Sequence, residues 1–421
     1  MHEAPLAQGR GAGVRIGVYI RTVESARGAE YAAVNVAKGL ADRGHEVDFL
    51  VEDEEGWLLD ELAAHAPPIR IVNLRAGSAP LRGRLAQAAA LARAFVPTPH
   101  ALHGARGWAL PLLRVVSDDD PPLLALQRYL RSQRPAAVIS FLSYPNLVLL
   151  LASLLGRGGV RFLVSVQNHL STAAARSRSR WVRSTPHLMR RFARHADAIV
   201  AASAGVASDL QQLGGVPPER IQVIYNPVFH GGIEALAREP VDHPWLQGGG
   251  PPVVLGVGKL KPQKDFPTLL RAFQQLRRQR PARLVILGEG DEEPALRDLA
   301  KQLGVDEHVD FAGYVRNPFP FYARAAVFAL SSAWEGFGNV LVEALACGCP
   351  IVSTDCPSGP AEILDGGRYG RLVPVGDADA ICAAIGATLD APPPRGDLIE
   401  RARAFSFDEA ARRYEELAAG R

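Results

Sequence analysis

The strongest constraint on this chain is a repeated alternation of short apolar runs and helix-spaced segments. Residues 14–20 (VRIGVYI) read as a buried strand, residues 29–43 carry apolar side chains at helical spacing up to Gly44, and residues 47–51 (VDFLV) give a second strand. Strand, helix and strand at this spacing make a βαβ unit, which implies a parallel sheet. Further strands are expected at residues 69–74, 137–141, 160–166 and 198–202. A stretch rich in turn formers, residues 226–252, contains Asn226-Pro227 and Gly248-Gly249-Gly250-Pro251-Pro252 and marks a domain boundary. A second series then places strands at residues 253–257, 283–287, 309–312, 327–331, 350–354 and 370–373. A length of 421 residues exceeds one ordinary core and agrees with two α/β domains. The expected division is 1–226, 227–404 and a closing amphipathic helix within 405–421 (FDEAARRYEELAA over residues 407–419). Residues 76–135 are not legible beyond one or two helices and a loop.

Composition narrows the class. With 48% hydrophobic and 22% charged residues the chain is a soluble globular protein, and a net charge of +3 does not point to nucleic acid. The opening MHEAPLAQGRGAG lacks the apolar core of a signal peptide. The longest apolar run, residues 147–155, falls far short of the ~20 residues a membrane span needs and is expected as a core helix. A cytoplasmic protein follows as the expectation, with contact at the inner face of the membrane left open. Of the four cysteines, Cys347 and Cys349 form a C-x-C, poor zinc spacing without a second ligand pair. Buried thiols in a reducing compartment are expected.

Glu335 and Glu343, with seven residues between them in EGFGNVLVE, carry the chemistry. Gly336 and Gly338 shape a turn, and residues 340–346 read as a short helix ended by Gly348 and Pro350. One carboxylate then sits just outside a helix N-terminus and the other in its opening turns. Free N–H groups and the positive helix end between them suit a phosphate. A sugar nucleotide, with hydroxyls on both sides of a diphosphate, fits such an arrangement. Alone, the pair reads as a surface glutamate and a helix-dipole glutamate. The loop Gly256-Val257-Gly258-Lys259-Leu260-Lys261-Pro262-Gln263-Lys264-Asp265 follows a strand and offers two ammonium groups; Gly288-Glu289-Gly290 repeats the strand-to-glycine pattern. Either alone is an ordinary turn.

These residues resemble glycosyltransferase family 4, of GT-B fold. The resemblance rests on GAEYAAVNVAKGLADRGHEV, SAGVASDL, VIYNPV, VGKLKPQKDFPTLL, LGEGDEEPAL and above all EGFGNVLVEALACGCPIVSTDCPSGPAEIL. It implies two Rossmann-like doubly wound domains facing across a cleft, the first for the acceptor and the second for a nucleotide-sugar. The final helix then packs back on the first domain. It implies Glu335 at the donor sugar, Glu343 at the ribose, and Lys259 and Lys264 at the phosphates. Gly258, Gly288 and the backbone at Phe337, Gly338, Asn339 and Val340 line the sugar and diphosphate. On the acceptor side it implies Gly28, in Gly28-Ala29-Glu30, where family members commonly show Gly-Gly-Ala-Glu and this chain has Arg27 at the first position. The family histidine after the strand at 160–166 corresponds either to His169, with a catalytic or donor-orienting role, or to Gln167.

The resemblance further implies retention of anomeric configuration and no cofactor or metal. The chain's one D-x-D, Asp118 to Asp120, reads as a solvated loop or helix cap. Gly9-Arg10-Gly11-Ala12-Gly13 precedes its strand and is no dinucleotide loop. Arg176, Arg178, Arg180, Arg183, Arg190, Arg191 and Arg194 crowd one stretch. They form either a solvated face or a surface for anionic lipid or a pyrophosphate-linked acceptor. The expected function is a hexosyl- or N-acetylhexosaminyl-type transferase moving a sugar, UDP-linked by preference, to a hydroxyl of a glycan or lipid-linked acceptor. A nucleotide-sugar epimerase, a glycan phosphorylase of the same architecture and a non-catalytic glycan-binding protein are the alternatives. A dehydrogenase is set aside because no strand leads into G-x-G-x-x-G.

Overall fold

The computed structural model describes residues 13–24, 28–75 and 122–421. The chain forms two compact units, one from Met1–Ala201, Asp209–Ile224 and Ala410–Arg421, the other from Ala202–Ser208 and Tyr225–Glu409. Residues 9–12, Arg27 and the D-x-D at 118–120 lie outside the described residues.

Among the described residues the first unit is built on seven strands: β1 Arg15–Tyr19, β2 Glu46–Val51, β3 Arg70–Asn73, β4 Ala137–Phe141, β5 Arg161–Val166, β6 Ala198–Ala201 and β7 Ile221–Val223, in the order β3-β2-β1-β4-β5-β6-β7. Every pairing is parallel. The inner strands β1, β2, β4, β5 and β6 are almost wholly buried because helices cover both faces, which is why they read as continuous apolar runs. The helix Gly28–Asp42 packs Val34, Ala37 and Leu40 into this core. The apolar run at 147–155 belongs to the helix Ser143–Ala152 and a 3₁₀ turn, Ser153–Leu155. From the terminal helix Phe407–Ala419, Ala410, Tyr414 and Ala418 join the same core, and the Tyr414 hydroxyl donates to Ser165 Oγ at 3.2 Å. The short elements were the least legible in sequence. β7 has three half-buried residues, too few to show a period, and was not foreseen, whereas the helix Pro122–Gln133 lies in the stretch expected to hold one or two helices.

The second unit carries β8 Val253–Val257, β9 Arg283–Leu287, β10 Val309–Gly313, β11 Val327–Leu330, β12 Ile351–Thr354 and β13 Arg371–Val373, in the order β10-β9-β8-β11-β12-β13. All pairings are again parallel. Both sheets reverse direction of growth once, between β1 and β4 and between β8 and β11. Such a reversal opens a crevice at the carboxyl ends of the strands, where doubly wound sheets take their ligands.

The loops at the second crevice interlock through their backbones. Gly258 N–H donates to the Leu287 carbonyl at 2.9 Å and Gly288 N–H to the Gly313 carbonyl at 2.7 Å. Leu260, fully buried, donates its N–H to the Glu289 carbonyl at 2.9 Å. A Cβ at Gly288 would lie 2.1 Å from the Gly258 carbonyl oxygen, and one at Gly290 2.2 Å from the Leu260 carbonyl oxygen. No side chain fits between these chains, so glycine is required at both positions. Gly288→Ala is therefore expected to destabilise the fold by about 2 kcal/mol or more. Gly386→Ala, in the open interior of the helix Ala378–Asp390, is expected to be neutral or stabilising by up to about 1 kcal/mol. Denaturant midpoints of the two variants measure the contrast.

Candidate functional site at the second switch point

Lys264 and Glu335 meet at the crevice between β8 and β11. Lys264 closes the loop after β8, and its methylene stem lies over Gly258, where a Cβ would approach the lysine Cε to 3.2 Å. Its Nζ donates to Glu335 Oε1 at 2.6 Å. The same oxygen accepts the Ser332 hydroxyl at 2.6 Å. The pair is close to dry, with 13% and 7% of the side-chain surfaces exposed. Among the described residues Glu335 Oε2 has no hydrogen-bond partner, so one carboxylate oxygen remains for a ligand. An ammonium has three donors, so Lys264 retains capacity as well. The sequence expectation gave Lys264 to phosphate and did not foresee its contact with Glu335. A lysine and a glutamate 71 residues apart carry no joint signal in sequence.

Lys259, in the same loop, is exposed and has no carboxylate or hydrogen-bond partner among the described residues. Its neighbour Leu260 is the buried anchor, which holds the lysine at the rim.

The turn between β11 and the next helix brings its backbone to the crevice. The helix is Asn339–Ala346, with Gly338 before it at φ +99°. That left-handed conformation suits glycine. Glu335 thus stands four residues ahead of the first helical residue, and Glu343 is the fifth residue of the helix. The turn is clamped from three sides. Gly359 lies so near that a Cβ would fall 1.7 Å from the Phe337 carbonyl oxygen. The Ser203 hydroxyl donates to the Gly336 carbonyl at 2.7 Å. Asn226 Nδ2 donates to Asn339 Oδ1 at 3.0 Å. Phe337 turns its ring inward, buried and stacked on Tyr225 at 5.4 Å with Phe405 edge-on at 5.6 Å. Only its backbone is available to a ligand, and the aromatic ring holds the turn in place. Val340 is half-buried against the same core.

Glu343 sits deeper. The Tyr322 hydroxyl donates to its Oε2 at 3.0 Å, while Oε1 has no hydrogen-bond partner among the described residues. Burial pushes the Glu343 carboxyl up to about 7, against the Tyr322 hydrogen bond and the Lys264 charge, which both favour the anion. Tyr322 is buried completely and its own ionisation is pushed well above the usual range. Neither Tyr322 nor Ser332 was singled out from the sequence. The cysteines beside this helix, Cys347 and Cys349, are free, buried and held protonated by burial.

The first unit places its expected residues differently. Gly28 is the exposed first residue of its helix. His169 is the N-cap of the helix Leu170–Arg176: its Nδ1 accepts from Thr172 N–H at 3.4 Å and lies 3.4 Å from Asp209 Oδ2. Asp209, nearly fully buried, also accepts from Ser171 N–H at 3.2 Å. Gln167 donates to Ser165 Oγ at 2.8 Å. The arginines at 178, 180, 183, 190 and 191 are exposed around the helix Arg180–Phe192, whose Leu188, Met189 and Phe192 face the core. None of these five has a carboxylate partner among the described residues. No described helix is long and apolar enough to cross a membrane.

Residues 26–230 match the family described as Glycosyltransferase Family 4, and residues 251–391 match Glycosyl transferases group 1. One relative is the N-acetylgalactosamine-N,N'-diacetylbacillosaminyl-diphospho-undecaprenol 4-alpha-N-acetylgalactosaminyltransferase of Campylobacter jejuni, 32% identical over 51% of this chain and 57% of the relative. Another is the lipopolysaccharide core biosynthesis glycosyltransferase LpsE of Rhizobium meliloti, 36% identical over 46% of this chain and 54% of the relative. The chain spans about half the length of these curated relatives. Among solved structures, Anabaena Alr3699/HepE in complex with UDP and glucose superposes with a TM-score of 0.71 at 19% identity, over 96% of this chain and 99% of that one. Both units thus have the fold of the GT-B glycosyltransferases.

The raised Glu343 carboxyl has a consequence for stability. A carboxyl whose folded value lies above its ordinary 4.5 favours the folded state only while protonated, so stability is lost as pH rises from 4.5 to about 7. Glu343→Gln keeps the oxygen that accepts from Tyr322 and removes the charge. It is expected to raise the melting temperature at pH 8 and to change it little at pH 4.5, as read by thermal denaturation across that range.

Proposed function

This chain belongs to glycosyltransferase family 4, and on that premise we propose that it moves a sugar from a nucleotide-sugar to a hydroxyl of a glycan or lipid-linked acceptor. The observation that carries the proposal is the Lys264–Glu335 pair, held at the β8–β11 switch point beside the N-terminus of Asn339–Ala346. Glu335 Oε2 accepts a hydroxyl of the donor sugar, and Glu343 Oε1 a ribose hydroxyl. The diphosphate lies over Gly258, Gly288 and the N–H groups at Gly338, Asn339 and Val340. Lys259 and the remaining donors of Lys264 meet its charge.

The donor is a UDP-sugar. HepE, of the same fold, has been crystallised with UDP, with UDP-glucose, and with UDP and glucose. A lipid-linked or polysaccharide acceptor agrees with relatives named for diphospho-undecaprenol and for lipopolysaccharide core. The first unit receives that acceptor, with Gly28 and His169 on its side of the reaction. The arginines around Arg180–Phe192 offer an anionic lipid surface or a pyrophosphate a field within a stretch, residues 121–196, that holds no acidic residue.

The reaction proceeds with retention and without metal. Two ammonium groups and a helix N-terminus stabilise the leaving diphosphate in the place of a divalent cation. No side-chain nucleophile stands out in the sequence, and on this reading the leaving phosphate takes the acceptor proton. Rate enhancement comes from holding the acceptor hydroxyl, the anomeric carbon and the diphosphate in line.

The buried ion pair decides which variants test the proposal. Truncating either partner leaves an unpaired buried charge at a cost of about 3–5 kcal/mol, so alanine variants confound activity with folding. Glu335→Gln retains the shape and an oxygen that accepts from Lys264 and Ser332, so it is expected to fold with a lowered melting temperature while lowering transfer at least 100-fold, with folding checked by circular dichroism. Lys259→Ala, at an exposed position, is expected to leave the melting temperature unchanged and to weaken binding of the nucleoside diphosphate. A thermal-shift series with UDP-, GDP-, ADP- and TDP-sugars measures the first step: the cognate donor at about 100 times its Kd stabilises the fold by ~2.7 kcal/mol. Silence across the series contradicts the proposal.

A further inference from the structure

We propose that Ser332 is a positioning residue that sets which oxygen of Glu335 the donor sugar meets; this rests on the reading of Glu335 as the sugar-binding carboxylate. Ser331 and Ser332 follow the carboxyl end of β11, and both are buried. Ser331 Oγ donates to the Lys264 carbonyl at 2.8 Å, which fixes the backbone of the lysine. Ser332 Oγ donates to Glu335 Oε1 at 2.6 Å, on the same oxygen as Lys264 Nζ. Two adjacent serines therefore hold both partners of the ion pair, one through its backbone and one through its charge.

Ser332 is itself held. Its carbonyl accepts the Thr354 hydroxyl at 2.6 Å, from the end of β12, and neither Ser332 nor Thr354 has exposed surface. The hydroxyl of Ser332 thus has a fixed origin and one acceptor. With lysine alone, the carboxylate is free to exchange its two oxygens by rotation about its terminal torsion, which is broad and two-fold. Two donors arriving from different directions on Oε1 remove that freedom and leave Oε2 as the presented atom. A hydroxyl is suited to this because it adds a donor without adding charge to a buried pair.

The effect is specific to the sugar. Glu335 reads the glycosyl group, whereas the loop glycines, Lys259, Lys264 and the helix N-terminus read the diphosphate, and Lys264 keeps its own bond to Glu335 when the serine hydroxyl is lost. Loss of the Ser332 hydroxyl weakens recognition of a nucleotide-sugar and leaves its nucleoside diphosphate bound as before. A serine that served packing alone would affect both ligands together.

The test compares Ser332→Ala and Ser332→Cys with the wild type by calorimetric titration. The ligands are UDP-glucose, UDP-N-acetylgalactosamine and GDP-mannose, each beside its own nucleoside diphosphate. For the donor that the wild type binds, the ratio of the two dissociation constants is expected to shift against the sugar nucleotide about tenfold in Ser332→Ala. A smaller shift is expected in Ser332→Cys, whose thiol is a weaker donor. If the alanine variant does not fold, the cysteine variant decides on the same ratio. An unchanged ratio overturns the assignment of Ser332 alone, as does parallel loss of both ligands. A wild type that binds the diphosphates and no nucleotide-sugar overturns the reading of Glu335 beneath it.

Discussion

A lysine and a glutamate taken out of water must satisfy each other, and this requirement organises the second switch point. Desolvation of two charges costs several kcal/mol per ion and is offset only when geometry is good and the remaining donors and acceptors are met. Lys264 and Glu335 meet at 2.6 Å, with Ser332 as a third partner and the stem of the lysine laid over Gly258. The pair joins the loop after β8 to the turn after β11, the two strands that flank the reversal of the sheet. A stable carboxylate oxygen at the mouth of that crevice is the result. Hydrophobic residues of similar volume could hold the loops as well; on the proposed reading the charges serve the donor.

Around the pair, close backbone packing replaces side-chain contacts. Gly288 and Gly290 lie too close to the carbonyls of Gly258 and Leu260 for any side chain, and Gly359 is equally close to Phe337. These contacts lock neighbouring loops together with little atomic volume. Glu343 illustrates the opposite solution. It has one hydroxyl partner and a largely apolar setting, so its charge is held at a cost and its carboxyl titrates near neutrality. A ligand hydroxyl at its second oxygen favours the anion and lowers that value.

Strands were legible in the sequence because parallel strands buried on both faces are apolar throughout; residues 253–257 and 283–287 coincide with β8 and β9. The helix after Glu335 was legible from its glycines, although it begins at Asn339, one residue earlier than its apolar run. What the local pattern could not show was partnership. Ser332 is one serine among many until β12 brings Thr354 behind it, and Tyr322 looks like an ordinary core aromatic until Glu343 is found beside its hydroxyl. Phe337 sits within the motif, yet its ring serves the core with Tyr225 and Phe405. His169 likewise has a local duty, capping a helix with Asp209 behind it, that no spacing rule encodes.

The central claim is that Glu335 meets the donor sugar through its free oxygen while Lys264 and Ser332 hold the other. A crystal structure of the protein with its nucleotide-sugar tests this most directly. The account predicts a sugar hydroxyl within hydrogen-bonding distance of Glu335 Oε2, the Lys264 and Ser332 contacts to Oε1 preserved, and the diphosphate against the N–H groups at Gly338 to Val340. A nucleotide-sugar seated away from the β8–β11 crevice, or one whose sugar makes no contact with Glu335, would contradict it.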